Sequence, residues 1–506
     1  MTDYGNYING EFVHHRIGVE GSDFTTEEYN NINPATGEVL GTFPLSTKEE
    51  VLAAVKHARN AFTSWKSKSR LERAEILNNV ATLVDERRES LAKAISRETG
   101  KNYNESIAEV NEALHMAQFA FGSGRTPTGD IVSSELAEKD SYMVRKPKGV
   151  IAIVTPFNFP LAIGMFWNAA PALVEGNTVV VKPSEDAPLS THLAMEIYHD
   201  AGLPAGVMNV VHGKGETGDA LCRADVDHIC FTGSAEVGQL IRKVAAESWH
   251  KTTSCEMGSK SACIVFNDAD VDMAVDAAIA SAFKLSGQRC VSSGRMIVQR
   301  DVYDEFCEKF AAKASQIKTG NPFNKDGSVN EDMYYGPIIN EQGFTKIRAF
   351  NKQVLDDPQA EVLLSPQYTG ENSTYFSTPT VYKTEWRGHE AQYLRNEVFG
   401  PHVALIPFDT VEDGVRIYND TEYGLAVGIL TNDYRIARYC RDNCDTGMCY
   451  WNGGSIAAES HLSFGGVKKS GNGFPSAAKT WQAVTHTMSW TVNHGEEIAF
   501  PQGMSK

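Results

Sequence analysis

Between Val150 and Val265 short β-branched runs alternate with helical stretches, and this pattern restricts the possible folds more than anything else in the 506-residue chain. The runs are Val150-Ile151-Ala152-Ile153-Val154, Thr178-Val179-Val180-Val181, Val207-Met208-Asn209-Val210-Val211 and His228-Ile229-Cys230-Phe231. Parallel strands need a crossover connection long enough for a helix, so the alternation predicts βαβ units and a parallel sheet. A second alternating region predicts a further α/β unit, with helices around Asp270 to Leu285 and Val302 to Ala314 and strands around Met296 to Val298 and Val403 to Ile406. From Thr47 to about Gly124, apolar residues recur at helical spacing (Val51, Ala54, Val55, Ala58, Ala61, Phe62) behind a Ser46 or Thr47 cap, which predicts a helical layer. Residues 5 to 38 are polar and turn-rich, include the hairpin-like piece Tyr7 to Val13, and read as a surface arm. Alternation from Thr487 to Val492 reads as an edge strand in search of a partner.

Charge and cysteine usage exclude several kinds of partner. With 47 Lys plus Arg against 64 Asp plus Glu, the net charge of -17 repels phosphate backbones and anionic membranes, so nucleic acid is not an expected partner. No apolar run approaches the ~18 residues of a membrane span, and Met1 to Gly10 lacks the basic-then-apolar pattern of a signal peptide. The expectation is a cytoplasmic protein. Nine cysteines without a Cys-x-x-Cys pair suggest neither a disulfide framework nor a zinc ribbon. Cys440, Cys444 and Cys449 lack neighbouring histidines, so no metal site is expected.

Several short elements could carry chemistry. Gly213-Lys214-Gly215-Glu216-Thr217-Gly218 is a literal Gly-x-Gly-x-x-Gly, but it falls in the third βα unit instead of the first, so a turn beside a site is favoured over a direct dinucleotide contact. Phe231-Thr232-Gly233-Ser234-Ala235-Glu236-Val237-Gly238 follows a strand and opens a helix, where free amides could face a pyrophosphate or merely start a capped helix. Lys182-Pro183-Ser184-Glu185 follows another strand; its lysine and carboxylate could hold ribose or phosphate groups, or stand in a solvated loop. Cys290 lies in a polar, glycine-flanked loop, Ser286 to Gly294, which suits a reactive thiol, whereas Cys222, Cys230, Cys263 and Cys307 have apolar, structural surroundings. Glu256, just before the apolar strand Ala262 to Phe266, could be a base with a raised pKa, although out of context a surface glutamate is the simpler reading. Asn158, in Thr155-Pro156-Phe157-Asn158-Phe159-Pro160, is an amide among aromatics and prolines at a strand end, where an oxyanion could be its partner.

In this order Asn158, Lys182 to Glu185, Gly233 to Gly238, Glu256, Cys290 and Asn396-Glu397-Val398-Phe399-Gly400-Pro401 resemble the aldehyde dehydrogenase superfamily over nearly the whole chain. The resemblance implies that Cys290 attacks the aldehyde carbon, that Asn158 and the Cys290 amide stabilise the oxyanion, and that Glu256 activates the water that hydrolyses the thioester. Glu256 also speaks against the CoA-acylating branch, so the implied product is a free acid. Implied cofactor contacts are Thr155, Pro156, Phe157, Lys182, Ser184, Glu185, Gly233, Ser234, Gly238, Glu397 and Phe399. Glu185 favours NAD, with NADP possible.

The implied fold is α/β: a Rossmann-like cofactor domain (residues 1–125 and 149–258), an α/β catalytic domain (259–455) and a small oligomerisation sheet (126–148 and 475–495) that favours a homodimer or homotetramer. Departures from the family pattern are Phe157 for Trp, Ser259 for a second Gly, Asn168 for a Lys after Trp167, and Phe474-Pro475 for Arg-Glu. The Asn168 change leaves Glu256 to work through water alone. The implied substrate is a small-molecule aldehyde, in first place a semialdehyde, with Arg289, Ser455 and His461 as pocket candidates; Phe157 suggests an aromatic aldehyde as the alternative. From a different class, a cysteine hydrolase or acyltransferase using Cys290 with a histidine and no dinucleotide is the competing reading, while retention of Cys290, Glu256 and Asn158 argues against a non-catalytic relative.

Overall fold

The computed structural model describes residues 2–13, 27–370, 374–472, 476–498 and 500. The chain opens on strands β1 (Asn6–Ile8) and β2 (Glu11–Val13), joined through Asn9 and Gly10, both at positive φ, and then forms the hairpin β3 (Glu28–Ile32) and β4 (Val39–Pro44). The helical layer follows as α1 (Lys48–Ser67), α2 (Arg70–Glu86), α3 (Arg88–Thr99) and α4 (Tyr103–Ser123). Thr47 with Glu50 and Ser69 with Glu72 form reciprocal capping boxes, which start α1 and α2 by satisfying amides that have no helical partner. Gly100 ends α3 in the left-handed conformation.

After β5 (Gly129–Val132) and β6 (Lys139–Pro147) the expected alternation appears: β7 (Val150–Val154), α5 (Ala169–Val174), β8 (Thr178–Lys182), α6 (Leu189–Asp200), β9 (Met208–Val210), α7 (Gly215–Arg223), β10 (His228–Thr232), α8 (Ala235–Ala246) and β11 (Thr252–Glu256). These strands form an eight-stranded sheet in the order β2-β1-β9-β8-β7-β10-β11 and then Gly471–Asn472; β9 through β11 run parallel. The strands are almost wholly buried because helices cover both faces. The order reverses at β7, with β8 on one side and β10 on the other, and a reversal of this kind opens a crevice at the carboxyl ends of the strands.

The N-terminal segment departs from expectation. Instead of lying on the surface as an arm, β1 pairs antiparallel with β9 and is buried, because the Asn6 carboxamide accepts from the His212 amide at 2.8 Å and from Ser46 Oγ at 3.1 Å. Residues 14–26 of that stretch lie outside the described residues.

A second, seven-stranded sheet holds β12 (Ala262–Val265) and β13 (Arg295–Gln299) at its centre, beside the parallel strands His402–Phe408 and Ala426–Leu430. Helices α9 (Val271–Phe283) and α10 (Arg300–Ala314) pack on it, and the core between them is Ala278, Phe283, Met296, Phe306 and Phe310. A third sheet joins β5, β6 and Thr485–Asn493, the last as an edge strand. No helix among the described residues is long and apolar enough to cross a membrane.

Candidate active site

One wall of the site starts at the carboxyl ends of the first sheet, and Cys290, Glu397 and Phe399 face it from loops beside the second. Thr155 to Asn158 leave β7, Lys182 to Glu185 leave β8, Gly233 and Ser234 leave β10 to open α8, and Glu256 ends β11. Between them lies a groove of about 630 Å³. Thr155, Pro156, Phe157, Asn158, Lys182, Ser184, Glu185, Gly233, Ser234, Cys290, Glu397 and Phe399 all line it. Of the residues expected in the site, Gly238 and Glu256 do not. Gly238 sits one turn into α8, where an added Cβ would stand 2.4 Å from the Met257 sulfur, so its role is to let α8 pack on Met257. Gly215 and Gly218 line the groove, and nothing lies within 4 Å of where a Gly215 Cβ would be.

Cys290 follows three consecutive residues in the left-handed region: Leu285 (φ 53°), Ser286 (φ 56°) and Gly287 (φ 70°). Non-glycine residues adopt this conformation only when their surroundings impose it, at a cost of order 1–3 kcal/mol each. Here the Leu285 amide donates to Glu105 Oε2 at 3.2 Å and Ser286 Oγ to the Gly336 carbonyl at 2.7 Å. Gln288 adds bonds to the Ile339 amide (3.1 Å) and the Pro337 carbonyl (3.2 Å), so the turn that presents Cys290 is held from both sides. Burial pushes the Cys290 thiol far above its ordinary range, with Glu256 and Glu397 adding to the rise and Arg289 opposing it. Asn158 Nδ2 donates to the Gln288 carbonyl at 3.0 Å, which fixes the amide two residues from Cys290.

Glu256 is 1% exposed, and neither carboxylate oxygen has a hydrogen-bond partner. Burial raises its pKa well above the ordinary carboxylate value. A surface role for this glutamate is therefore excluded. Asn168 offers no relay: it lies on a single π-helical turn, Ile163–Asn168, and its amide closes back on the Ile163 carbonyl at 3.1 Å. Phe474 and Pro475 lie outside the described residues.

Along the groove, Lys182 Nζ lies 3.5 Å from Glu185, and burial lowers its pKa while Glu185 opposes the shift. Glu397 accepts from the Ser259 amide at 2.8 Å; burial raises its carboxyl, and Lys346 counters that. Phe157 meets Phe399 edge to face, with ring centroids 6.0 Å apart. Phe157 thus packs within the groove, so its presence carries no argument for an aromatic aldehyde.

Other expectations fail on direction. Arg289 turns away from the groove to ion-pair with Glu105 at 3.2 Å and to stack over Phe159. Ser455 is fully buried and donates to the Val291 carbonyl at 2.6 Å. The His461 side chain is 60% exposed and pairs with Glu459. Sequence reasoning also missed a buried support beneath Asn158. Lys101, fully buried, donates to the Asn158 carbonyl at 2.8 Å and to Glu109 at 2.5 Å, and Glu109 accepts from the Leu161 and Ala162 amides at 2.9 and 3.1 Å. Lys346 and Gly258, both in the groove, were missed as well.

A cysteine on a strained turn, a nearby side-chain amide and a buried, unpartnered carboxyl thus gather beside a groove of ligand size. Residues 21–490 match the aldehyde dehydrogenase family model, and the chain belongs to that family. It is 33% identical over 480 residues to the α-ketoglutaric semialdehyde dehydrogenase of Bacillus subtilis, covering 93% of this chain and 94% of that protein. It is 35% identical over 443 residues to a mitochondrial succinate-semialdehyde dehydrogenase of Oryza sativa, covering 87% and 82%. The betaine aldehyde dehydrogenase of Staphylococcus aureus, solved with NAD+, superposes at a TM-score of 0.89 with 28% identity, over 99% of this chain and 97% of that one.

Proposed function

We propose that this chain oxidises a small semialdehyde to the dicarboxylic acid with NAD, NADP being the weaker alternative, through a covalent intermediate on Cys290. The observation that carries the reading is Cys290 held on its strained turn next to Asn158, at the inner end of the groove. The groove fits a nicotinamide dinucleotide: its volume is in the ligand range, the amides at the start of α8 face it, and the space over Gly215 is open. Gly233 and Ser234 would hold the pyrophosphate, with Lys182, Ser184 and Glu185 at the adenosine ribose and Glu397 and Phe399 at the nicotinamide end. When bound, the dinucleotide accepts the hydride.

The chain's own groups do the rest. The Cys290 sulfur adds to the aldehyde carbon once its proton has passed to water in the groove, since burial holds the resting thiol neutral, and the carbonyl oxygen becomes the oxyanion. An amide nitrogen carries two protons and Asn158 gives one to Gln288, which leaves the second, with the Cys290 amide, for the oxyanion. After hydride loss the sulfur bears a thioester. In its ionised form Glu256, with no competing partner, takes a proton from the water that attacks the thioester carbon; the carbon–sulfur bond breaks, Cys290 leaves as the thiolate and the acid departs.

The semialdehyde reading is supported by the relatives' names. A division into cofactor (1–125, 149–258), catalytic (259–455) and bridging (126–148, 475–495) parts is supported by the grouping of most strands into three sheets, with Gly471–Asn472 crossing to the first. Ile131, Val132, Met143 and Trp490 are exposed on the third sheet, which supports a homodimer or homotetramer, and a cytoplasmic location goes with the acidic composition. The test is absorbance near 340 nm with NAD or NADP and a panel of succinic, glutamic, succinylglutamic, quaternary-ammonium and aromatic aldehydes. Reduction fastest with a semialdehyde is the expected result. Faster turnover of a cationic or aromatic aldehyde would overturn the substrate, and turnover by Cys290→Ala would overturn the mechanism.

A further inference from the structure

A second cavity, of about 320 Å³, lies between the start of α2, the end of α4, β6 and the helix Thr480–Val484. Its walls are apolar, formed by Met116, Phe119, Pro171 and Trp481. One side is ionic. Arg70 and Arg145 both address the same carboxylate oxygen, Glu175 Oε1, at 2.5 and 3.3 Å. Arg73 stands near enough for Glu175 to act on its charge, and it donates its own Nε to the Val174 carbonyl at 2.9 Å. Two guanidiniums therefore share one buried carboxylate oxygen, with Arg73 nearby and also acted on by Glu72, and the further acid that acts on Arg145, Asp130, is exposed. The Nε groups of Arg70 and Arg145 are buried and have no acceptor. Buried donors and surplus buried charge are both costly unless a partner answers them. The Arg145 guanidinium also lies 4.1 Å from the Trp481 ring, which holds its plane against an aromatic wall.

We propose that this cavity is a binding site for an amphipathic organic anion: a carboxylate on a short aliphatic or aromatic body. The carboxylate would answer the unpaired arginine donors and the surplus charge, and the body would fill the space against Trp481, Phe119 and Met116. An inorganic anion would satisfy the arginines but leave the apolar walls wet. The site is separate from the groove that holds Cys290, since the two share no lining residue. Because aldehyde oxidation itself yields carboxylates, the test has to silence the catalytic site first.

The experiment is calorimetric titration of 4-phenylbutyrate into the full-length protein with NAD present and Cys290 alkylated. One saturable site per chain is expected to survive alkylation, and equal concentrations of inorganic phosphate should not compete. Arg145→Gln should weaken binding at least tenfold. Gly122→Trp should abolish it, since Gly122 lines the cavity and nothing lies within 4 Å of where its Cβ would be, so the backbone accepts a side chain whose indole competes for the cavity. Both variants should oxidise aldehyde with unchanged kcat and KM, which also shows that they fold. Any of three results overturns the proposal: no saturable heat after alkylation, equal binding by both variants, or full competition by phosphate. Sedimentation showing that both variants dissociate an oligomer, with no probe binding by the parent protein, would assign the cavity to a second copy of the chain and overturn it as well.

Discussion

Replacing Glu256 by Gln should make the protein more stable and less active, and the size of the gain should depend on pH. Glu256 is buried with both oxygens unpartnered, and burial raises its carboxyl well above the ordinary value of 4.5. In the unfolded chain the same carboxyl ionises at the ordinary value. As pH rises past that value the unfolded state loses a proton that the folded state retains, so Glu256 contributes stability below it and loses that contribution up to its own folded pKa. One linked proton limits the loss to ~1.4 kcal/mol per pH unit, accumulating from about pH 5 upward for as long as the folded carboxyl keeps its proton. Glutamine has nearly the same shape and no charge, so Glu256→Gln escapes the loss. Thermal unfolding of both proteins between about pH 5 and pH 8 should show the variant gaining on the parent as pH rises, each kcal/mol being worth roughly 2–4 °C in a domain of 150–250 residues. The cost appears in turnover. Removing a general base slows its step by ~10²- to 10⁴-fold, so the variant should release one equivalent of reduced cofactor in a burst and then hold an acyl group detectable by intact mass. A melting difference that is the same at both ends of the range, or a variant less stable at pH 8, would refute the account of Glu256 as a destabilised, unpartnered acid.

Three further outcomes follow from the site. Lys101→Met strands Glu109 in the core and should cost about 3–5 kcal/mol in denaturant unfolding, with kcat falling as the Asn158 carbonyl loses its anchor; a neutral substitution would sink the positioning role. Gly258→Ala would put a methyl 2.3 Å from Glu397 Oε2, so the carboxylate must move and NAD should bind about tenfold more weakly by thermal shift, since ~1.4 kcal/mol is a factor of ten in affinity. Because burial above all holds the Cys290 thiol neutral, its alkylation by iodoacetamide should be slow near neutrality and speed up as pH rises; a rate flat with pH would count against a neutral resting thiol.

Much of this arrangement could be read from the residues, and the failures share a cause. The parallel sheet announced itself because fully buried strands must be continuously apolar, as β7 and β8 are. Asn158, Glu256 and Cys290 were singled out by their order along the chain, with no need of their geometry. Arg289 was placed in the substrate pocket because it adjoins Cys290, but three left-handed residues just upstream turn the loop so that Arg289 meets Glu105 instead. Lys101 and Glu109 gave no signal because their burial comes from the packing of α3 and α4 under the Asn158 loop, and a lysine eight residues from a glutamate looks the same on a solvated helix. The strand β1 was misread because its polar residues find their partners in Ser46 and His212, far along the chain.

The edges of the first sheet also set an order in time. On one side β1 must wait for β9, and on the other β11 is flanked by Gly471–Asn472, whose register places Gly471 opposite Glu256. The Met257 amide reaches the Ser470 carbonyl at 2.8 Å, and the Cys255 amide reaches the Asn472 side chain at 2.8 Å. The strand that carries Glu256 is thus fastened by residues the ribosome adds more than two hundred positions later. A nascent chain that already exposes Cys290 therefore still lacks the pairing that holds Glu256 in place, which is completed only when residues near 470 emerge.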